Sequence, residues 1–466
     1  MVPVFDPLRL ASVSLDVLAM ARGARAAVTA RQRVRLRGLL ATAMRGSRFY
    51  RDHLAGLRPD TPLGDLPTVT RAALMARFDD WVGDPRLRLD ELRAFTADPR
   101  RMGEPYLGRY VIWESSGTSQ QPGVFVQDAA TMAVYDALEA LRRSVPLSLR
   151  RWSDPLYLGE RLAFVGAIGG HFASHVSIER LRQINPWMRL NFRSHSILQP
   201  VPALLAALDK DAPSVIATYP TVASLLAEEA ERGALSLRPR EIWTGGETLG
   251  LAARRHIERA LACSVRNSFG ASEFLTMGWE CGQGRMHLNA DWVILEPVDE
   301  HGRAVPAGRL SHACLLTHLA NTVQPLIRYE LGDQIAVFDE PCSCGSAMPV
   351  IEVQGRRDEP LVLIAPDGRR VTLLPMALTT VIEEEAGVYD FQIRQIGPLT
   401  LAVRLPGDDG EARAAMARCR RAMQAFALAH GIRGLNVDEE LGLALQRGRS
   451  GKIGRVLATS SRQTHP

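Results

Sequence analysis

The chain has 466 residues, of which 46% are hydrophobic and 23% charged, with 38 glycines and 28 prolines spread along its length, a profile that excludes a disordered or fibrous protein. At roughly 150 residues per domain, it is long enough for two or three packed units. A formal charge of +5 suits anionic ligands such as nucleotides, but it is too small, and too little interleaved with aromatic residues, to indicate nucleic acid.

No uninterrupted apolar run is long enough to span a bilayer, and the N-terminus lacks the charged-then-apolar layout of a signal peptide. A cytoplasmic protein without stable membrane insertion is expected. Leu8 to Ala30 is mildly amphipathic and reads as a docked helix, with surface membrane contact as the alternative. Residues 31 to 57 carry helical apolar spacing and end in a turn after Ser47-Arg48-Phe49-Tyr50-Arg51. A loop and short helix follow over Leu63 to Phe78.

The most informative stretch is Glu114 to Gly123, which lies between strand-like runs Tyr110 to Trp113 and Val124 to Val126. Ser115, Ser116, Gly117 and Thr118 can turn backbone N–H groups and hydroxyls around an anion. No Gly-Lys-Ser/Thr ends the loop, so read alone it is equally a polar hairpin. Beyond it, the spacing predicts helices over Thr131 to Ser144, Val201 to Leu208 and Val222 to Arg232, and strands over Leu162 to Ile168, Ser214 to Thr218 and Glu241 to Thr244. That alternation argues α/β layering on a largely parallel sheet. After Trp292 the texture becomes β-rich, with short strands expected at Trp292 to Glu296, Asp299 to Arg303, Ala307 to Leu310 and Asp333 to Asp339. The charged turn Gly355 to Pro360 precedes a strand, a helix near Thr379 to Ala386, two strands over Phe391 to Leu405 and a long helix Gly410 to His430. The expected fold class is therefore α/β: a large N-terminal domain with mixed sheets and a β-rich subdomain, 1–355, plus a small α+β C-terminal domain, 356–466.

Three further stretches carry chemistry. Thr244-Gly245-Gly246-Glu247 ends a strand and is read as opening a helix, where glycines let a flat ligand approach the backbone. Ser268 to Glu273 sets the aromatic Phe269, the close-approach glycine Gly270, the Ser272 hydroxyl and the Glu273 carboxylate within six residues, a combination suited to stacking on a base and holding Mg²⁺. Leu326 to Asp333 ends in a carboxylate placed to bridge ribose hydroxyls. Each alone is also read as a loop end or a solvated charge.

Taken in order, the Ser/Gly/Thr loop, Gly-Gly-Glu, Phe-Gly-x-Ser-Glu, Arg-Tyr-x-x-Gly-Asp, Gly-Arg-x-Asp and Gly-Lys-x-x-Arg-Val resemble the motif series of the adenylate-forming (AMP-binding) superfamily. Gln32 to Arg51 and the Cys-x-Cys-Gly segment are most similar to its phenylacetate-CoA ligase-like branch. The resemblance implies ATP-dependent activation of a carboxylic acid as an acyl-adenylate, then acyl transfer to CoA, to a carrier-protein thiol or to an amine. The acid is expected to be aromatic or small and polar. A nucleotide-binding homologue without turnover is the alternative. On this reading Ser115 to Thr118 hold the β and γ phosphates, Gly245, Gly246 and Glu247 line the adenine pocket, and Phe269 stacks on the base. Ser272 and Glu273 face the α-phosphate and Mg²⁺, Asp333 with Arg356 binds ribose, Asp358 is the hinge of a mobile C-terminal lid, and Lys452 reaches the reacting oxygens.

Two departures stand out. Gln121 occupies a place where the family commonly has lysine, so the triphosphate needs a cation from elsewhere. Leu361 to Gly368 replaces the segment that helps form the thioester-step tunnel in relatives, which bears on CoA as acceptor. Of the six cysteines, Cys281, Cys342 and Cys344 combine with His287 into a tetrahedral Zn²⁺ ligand set when the fold implied by the resemblance pairs their segments; otherwise they are unrelated residues. Cys263, Cys314 and Cys419 read as buried small hydrophobes.

Overall fold

The structure is a computed structural model, described here for residues 4–21, 23–115, 122–142, 159–354, 360–365, 367–446 and 455–457. Its frame is a nine-stranded sheet, at whose parallel centre the apolar runs Leu162–Gly166 and Val215–Thr218 are the kind of stretch that parallel sheets bury. In chain order the strands are β1 (Tyr110–Glu114), β2 (Val124–Asp128), β3 (Leu162–Gly166), β4 (Phe192–Ser196), β5 (Val215–Thr218), β6 (Glu241–Thr244), β7 (Ser264–Ala271), β8 (Phe274–Glu280), β9 (Met286–Leu288), β10 (Val293–Val298), β11 (Ala313–His318), β12 (Tyr329–Leu331), β13 (Gln334–Phe338) and β14 (Val350–Gln354). The sheet order is β13-β14-β9-β8-β7-β6-β5-β3-β4. Its half from β4 to β7 is parallel, with helices Val201–Asp211, Pro220–Glu231 and Leu251–Leu261 between strands, and the half from β7 to β13 is antiparallel. The α/β expectation therefore holds.

The two strand-like runs around Glu114 to Gly123 are β1 and β2, which pair antiparallel, and β10, β11 and β12 form a separate antiparallel sheet. Helix Ala129–Arg142 is tied to this β-rich region by Arg142, which is 4% exposed and donates to both oxygens of fully buried Asp291 and to Asn289, at 2.6 to 2.7 Å. The strands expected at Asp299 to Arg303 and Ala307 to Leu310 are turns instead. Gly302 and Gly308 sit at φ +74 and +77, and the Asp299 N–H closes on the Arg303 carbonyl at 2.8 Å, which reverses the chain rather than extending it. Leu8 to Ala30 is likewise not one helix. It divides into Pro7–Ala21 and Arg25–Gly46 around Gly23 and Ala24.

Beyond residue 360 come β15 (Leu361–Ile364) paired with β16 (Arg370–Leu373), and a four-stranded sheet of β17 (Gln392–Gly397), β18 (Thr400–Leu405), β19 (Asn436–Leu441) and β20 (Val456–Leu457) with helices Pro375–Ala386 and Gly410–Ala429. This unit is not held to the rest by polar contacts alone. Leu204 and Leu225, on helices of the parallel sheet, face Leu373, Leu374, Ala377 and Phe426 across a small void, within one continuous apolar cluster. Among the described residues no helix is long and apolar enough to cross a membrane.

Candidate functional site

Open parallel sheets bind ligands beyond the carboxyl ends of their strands, and β6 and β7 end here in residues singled out from the sequence. Gly245 and Gly246 follow β6 directly. Gly246 has φ +79, and a Cβ there would stand 3.3 Å from the Tyr219 ring, so both conformation and space call for glycine. The helix expected to open at this motif begins only at Leu251. Glu247 instead caps a neighbour: its carboxylate accepts from the Thr221 N–H at 3.0 Å and the Thr221 hydroxyl at 3.1 Å, at the start of helix Pro220–Glu231.

β7 and β8 form a hairpin in which Ala271 pairs with Phe274, leaving Ser272 and Glu273 as the two tip residues. The glycine of this motif is dictated by the hairpin itself, because a Cβ on Gly270 would lie 1.9 Å from the Leu275 carbonyl oxygen. The tip is clamped from two sides. Trp113 Nε1 donates to the Ser272 carbonyl at 2.8 Å, and the Tyr329 hydroxyl donates to Glu273 Oε1 at 2.8 Å. Burial pushes the Glu273 carboxyl above the ordinary range, with nearby Asp333 adding to the rise while the Tyr329 hydrogen bond and the Arg71 charge oppose it.

Arg71 was not among the candidates read from the sequence. It is the first residue of the short helix Arg71–Ala76, capped by Thr70, and its guanidinium donates to Ser115 Oγ at 2.9 Å. Ser115 Oγ also accepts from the Gly123 N–H at 2.8 Å, and the Ser115 N–H bonds the Gly123 carbonyl, so the base of the β1–β2 loop is closed and a cation stands on it. Ser116, Gly117, Thr118, Gln121, Arg356, Asp358 and Lys452 lie outside the described residues.

One cavity of about 1750 Å³ gathers Ser115, Gly245, Gly246, Glu247, Phe269, Gly270, Ser272, Glu273 and Asp333, together with Arg71. Glu383 and Arg455, from the C-terminal unit, line it too. They form a buried ion pair, and the Arg455 carbonyl accepts from the Ile393 N–H at 2.7 Å. An arrangement of hydroxyls, glycines, a buried carboxylate and a guanidinium around one space can hold a polyanion and stabilise charge developing on its oxygens.

Cys281, His287, Cys342 and Cys344 form a second, separate cluster at the far end of β8, with their ligand atoms all within 4.8 Å of one another. Cys281 Sγ lies 3.9 Å from Cys342 Sγ, and Cys344 Sγ lies 3.4 Å from His287 Nε2. A tetrahedral Zn²⁺ site with Zn–S near 2.3 Å and Zn–N near 2.0 Å requires edges of about 3.5 to 3.8 Å, so the residues fit. His287 Nδ1 donates to the Met348 carbonyl at 2.9 Å, which leaves the Nε2 lone pair facing the sulfurs. Backbone N–H groups of Gln283 and Ser346 point at Cys281 and Cys344 sulfur at 3.4 and 3.5 Å, as suits thiolates. Cys314 and Cys419 are buried as expected, whereas Cys263 is half-buried.

No family model matches the chain. Phenylacetate-coenzyme A ligase of Thermus thermophilus is 29% identical over 201 residues, which are 40% of this chain and 43% of that protein. Protein CapK of Staphylococcus aureus is 29% identical over 135 residues, 28% of each. The matched stretches thus span less than half the length of either relative. Among solved structures, 2-hydroxyisobutyryl-CoA ligase in complex with 2-HIB-AMP and CoA, in its thioesterification state, superposes with a TM-score of 0.58 at 20% identity over 94% of this chain and 91% of that one. Its open conformation gives 0.53 at 20% identity over 91% and 90%. The fold of this chain is that of 2-hydroxyisobutyryl-CoA ligase, and over part of its length its sequence is similar to phenylacetate-coenzyme A ligase.

Proposed function

We propose that this protein uses ATP to activate a carboxylic acid and then transfers the acyl group to the thiol of CoA. The observation that carries the proposal is the convergence of Ser115, the Gly245 to Glu247 turn, the Phe269 to Glu273 hairpin and Asp333, which come from four distant parts of the chain, on a single cavity. In the first half-reaction a carboxylate oxygen attacks the α-phosphorus, the bond to the β-phosphate oxygen breaks, and pyrophosphate leaves. In the second, a thiol sulfur attacks the acyl carbon and AMP departs. Such chemistry needs mainly positioning and positive charge on developing anions.

Phe269 offers a face for the adenine, the Gly245–Gly246 backbone lets it approach, and Asp333 receives the ribose hydroxyls. Glu273, a carboxylate lining the cavity beside Asp333, fits a hard divalent cation, and Mg²⁺ held there would supply neutralising charge for the phosphates. Arg71 supplies the fixed cation that the Gln121 loop lacks. Residues 1–355 act as the binding domain and residues 356–466 as a lid, with Asp358 as hinge and Lys452 as the cation brought to the reacting oxygens. Carboxylate-dependent pyrophosphate exchange tests the reading directly. Exchange with at least one acid is expected; ATP binding with no exchange across a broad acid panel would leave a nucleotide-binding protein without turnover. Mass analysis of products identifies the acceptor as CoA, a carrier thiol or an amine.

The cysteine cluster we assign to structural Zn²⁺, since four protein ligands leave no open position for chemistry. Protein purified without added metal is expected to hold about one zinc per chain. Cys342→Ser should lose it and melt several degrees lower. A metal-free wild type with an unchanged melting temperature would remove the assignment.

A further inference from the structure

Alternation along the parallel strands divides the sheet into two unlike faces. On β3, Ala163 and Val165 face the helix-covered core while Leu162 and Phe164 face the other way; on β5, Ile216 opposes Val215 and Ala217; on β6, Ile242 opposes Trp243. The second face is only partly covered. Leu162, Phe164, Ala217 and Trp243 form a wall of the same cavity that holds Phe269 and Gly245, and Ile178 and Met188, packed against that wall, line the cavity too. Every described lining residue between 162 and 243 is uncharged, and its few polar side chains include Ser174, Ser177 and Asn185. At about 1750 Å³ the whole cavity exceeds the roughly 300–1,000 Å³ of an ordinary single-ligand pocket, so it has room beyond a nucleotide.

We infer that this branch takes the acyl portion of the substrate, and that the substrate is a monocarboxylic acid with an extended hydrocarbon tail larger than one phenyl ring. The inference rests on the acid-activation reading and narrows it away from small polar acids. A second carboxylate in this branch would be desolvated with no cationic side chain among the described lining residues from 162 to 243, and the hydroxyl of a small acid would exchange water for an apolar wall. Each buried methylene, by contrast, gains about fourfold in affinity.

The test measures kcat/KM in pyrophosphate exchange for glycolate, acetate, hexanoate, phenylacetate and decanoate, and the affinity of hydrolysis-resistant acyl-sulfamoyl adenosines bearing acetyl or octanoyl groups. A rise of at least about 100-fold from acetate to decanoate is expected, and a similar preference for the octanoyl analogue. Ala217→Phe, which fills the wall, should lower the decanoate-to-acetate ratio at least about tenfold. Glycolate as the best substrate, or an unchanged ratio in a folded Ala217→Phe variant, overturns the inference while leaving acid activation standing. Absence of exchange with every acid, combined with tighter binding of the octanoyl analogue, defeats acid activation and leaves the apolar pocket standing. Equal binding of the two analogues defeats the pocket whatever the exchange shows.

Discussion

Lys452→Ala is expected to lower acyl-adenylate formation about 1,000-fold while leaving ATP affinity within about threefold of wild type. The reason is electrostatic timing. Attack on the α-phosphorus concentrates charge on non-bridging and leaving oxygens in the transition state, and a cation delivered only then lowers the barrier without tightening the ground state. Lys452 lies outside the described residues, but Arg455, three residues on, lines the cavity and is pinned by its ion pair with Glu383. The measurement is single-turnover formation of acyl-adenylate beside equilibrium ATP binding. A variant with wild-type adenylation would remove the lysine from the mechanism, and a variant that no longer bound ATP would make it a ground-state ligand.

Arg71→Met is expected to reduce kcat/KM for ATP about 100-fold, with partial recovery in Arg71→Lys. Unlike Lys452, this guanidinium is already seated, 2.9 Å from Ser115 Oγ, so its loss should appear chiefly in KM. Methionine keeps much of the stem packing and removes only charge and donors. A melting temperature close to wild type would show that the fold survives. An unchanged KM would mean that the phosphates are met elsewhere and that Arg71 only closes the β1–β2 loop.

How much of this was legible in the sequence differs by element. β6 runs from Glu241 to Thr244 as its apolar-to-turn pattern predicts, and Cys281, His287, Cys342 and Cys344 come together as the fold implied by the resemblance pairs their segments. Arg71 was not legible. It sits 44 positions before Ser115 on a six-residue helix, and nothing in its own neighbours distinguishes it from other arginines; the clue was indirect, in the missing lysine at position 121. The tie from Arg142 to Asp291 spans 149 positions and escaped for the same reason. Glu247 was assigned to the start of the following helix because a Gly-Gly pair after a strand suggests an immediate helix, whereas Thr248 to Gly250 intervene and the carboxylate turns back to Thr221. Local pattern carries the period of a strand or helix; long-range pairing is decided by packing that no window of sequence contains.

β8 joins the two clusters: it begins next to Glu273, ends next to Cys281 and is seven residues long, about 24 Å at ~3.4 Å per residue. A metal held there would exert little force on the phosphates, yet it would pin β8 lengthwise against β9 and the loop between β13 and β14. Side chains alternate with a period of two, so a slip of a single residue between β7 and β8 would turn Glu273 to the opposite face and put Phe274 at the tip. On this view the cysteine cluster acts as an end stop: its contribution to activity would be the fraction of molecules in which the hairpin is in register, and its loss would produce a mixed population rather than a uniformly slower enzyme.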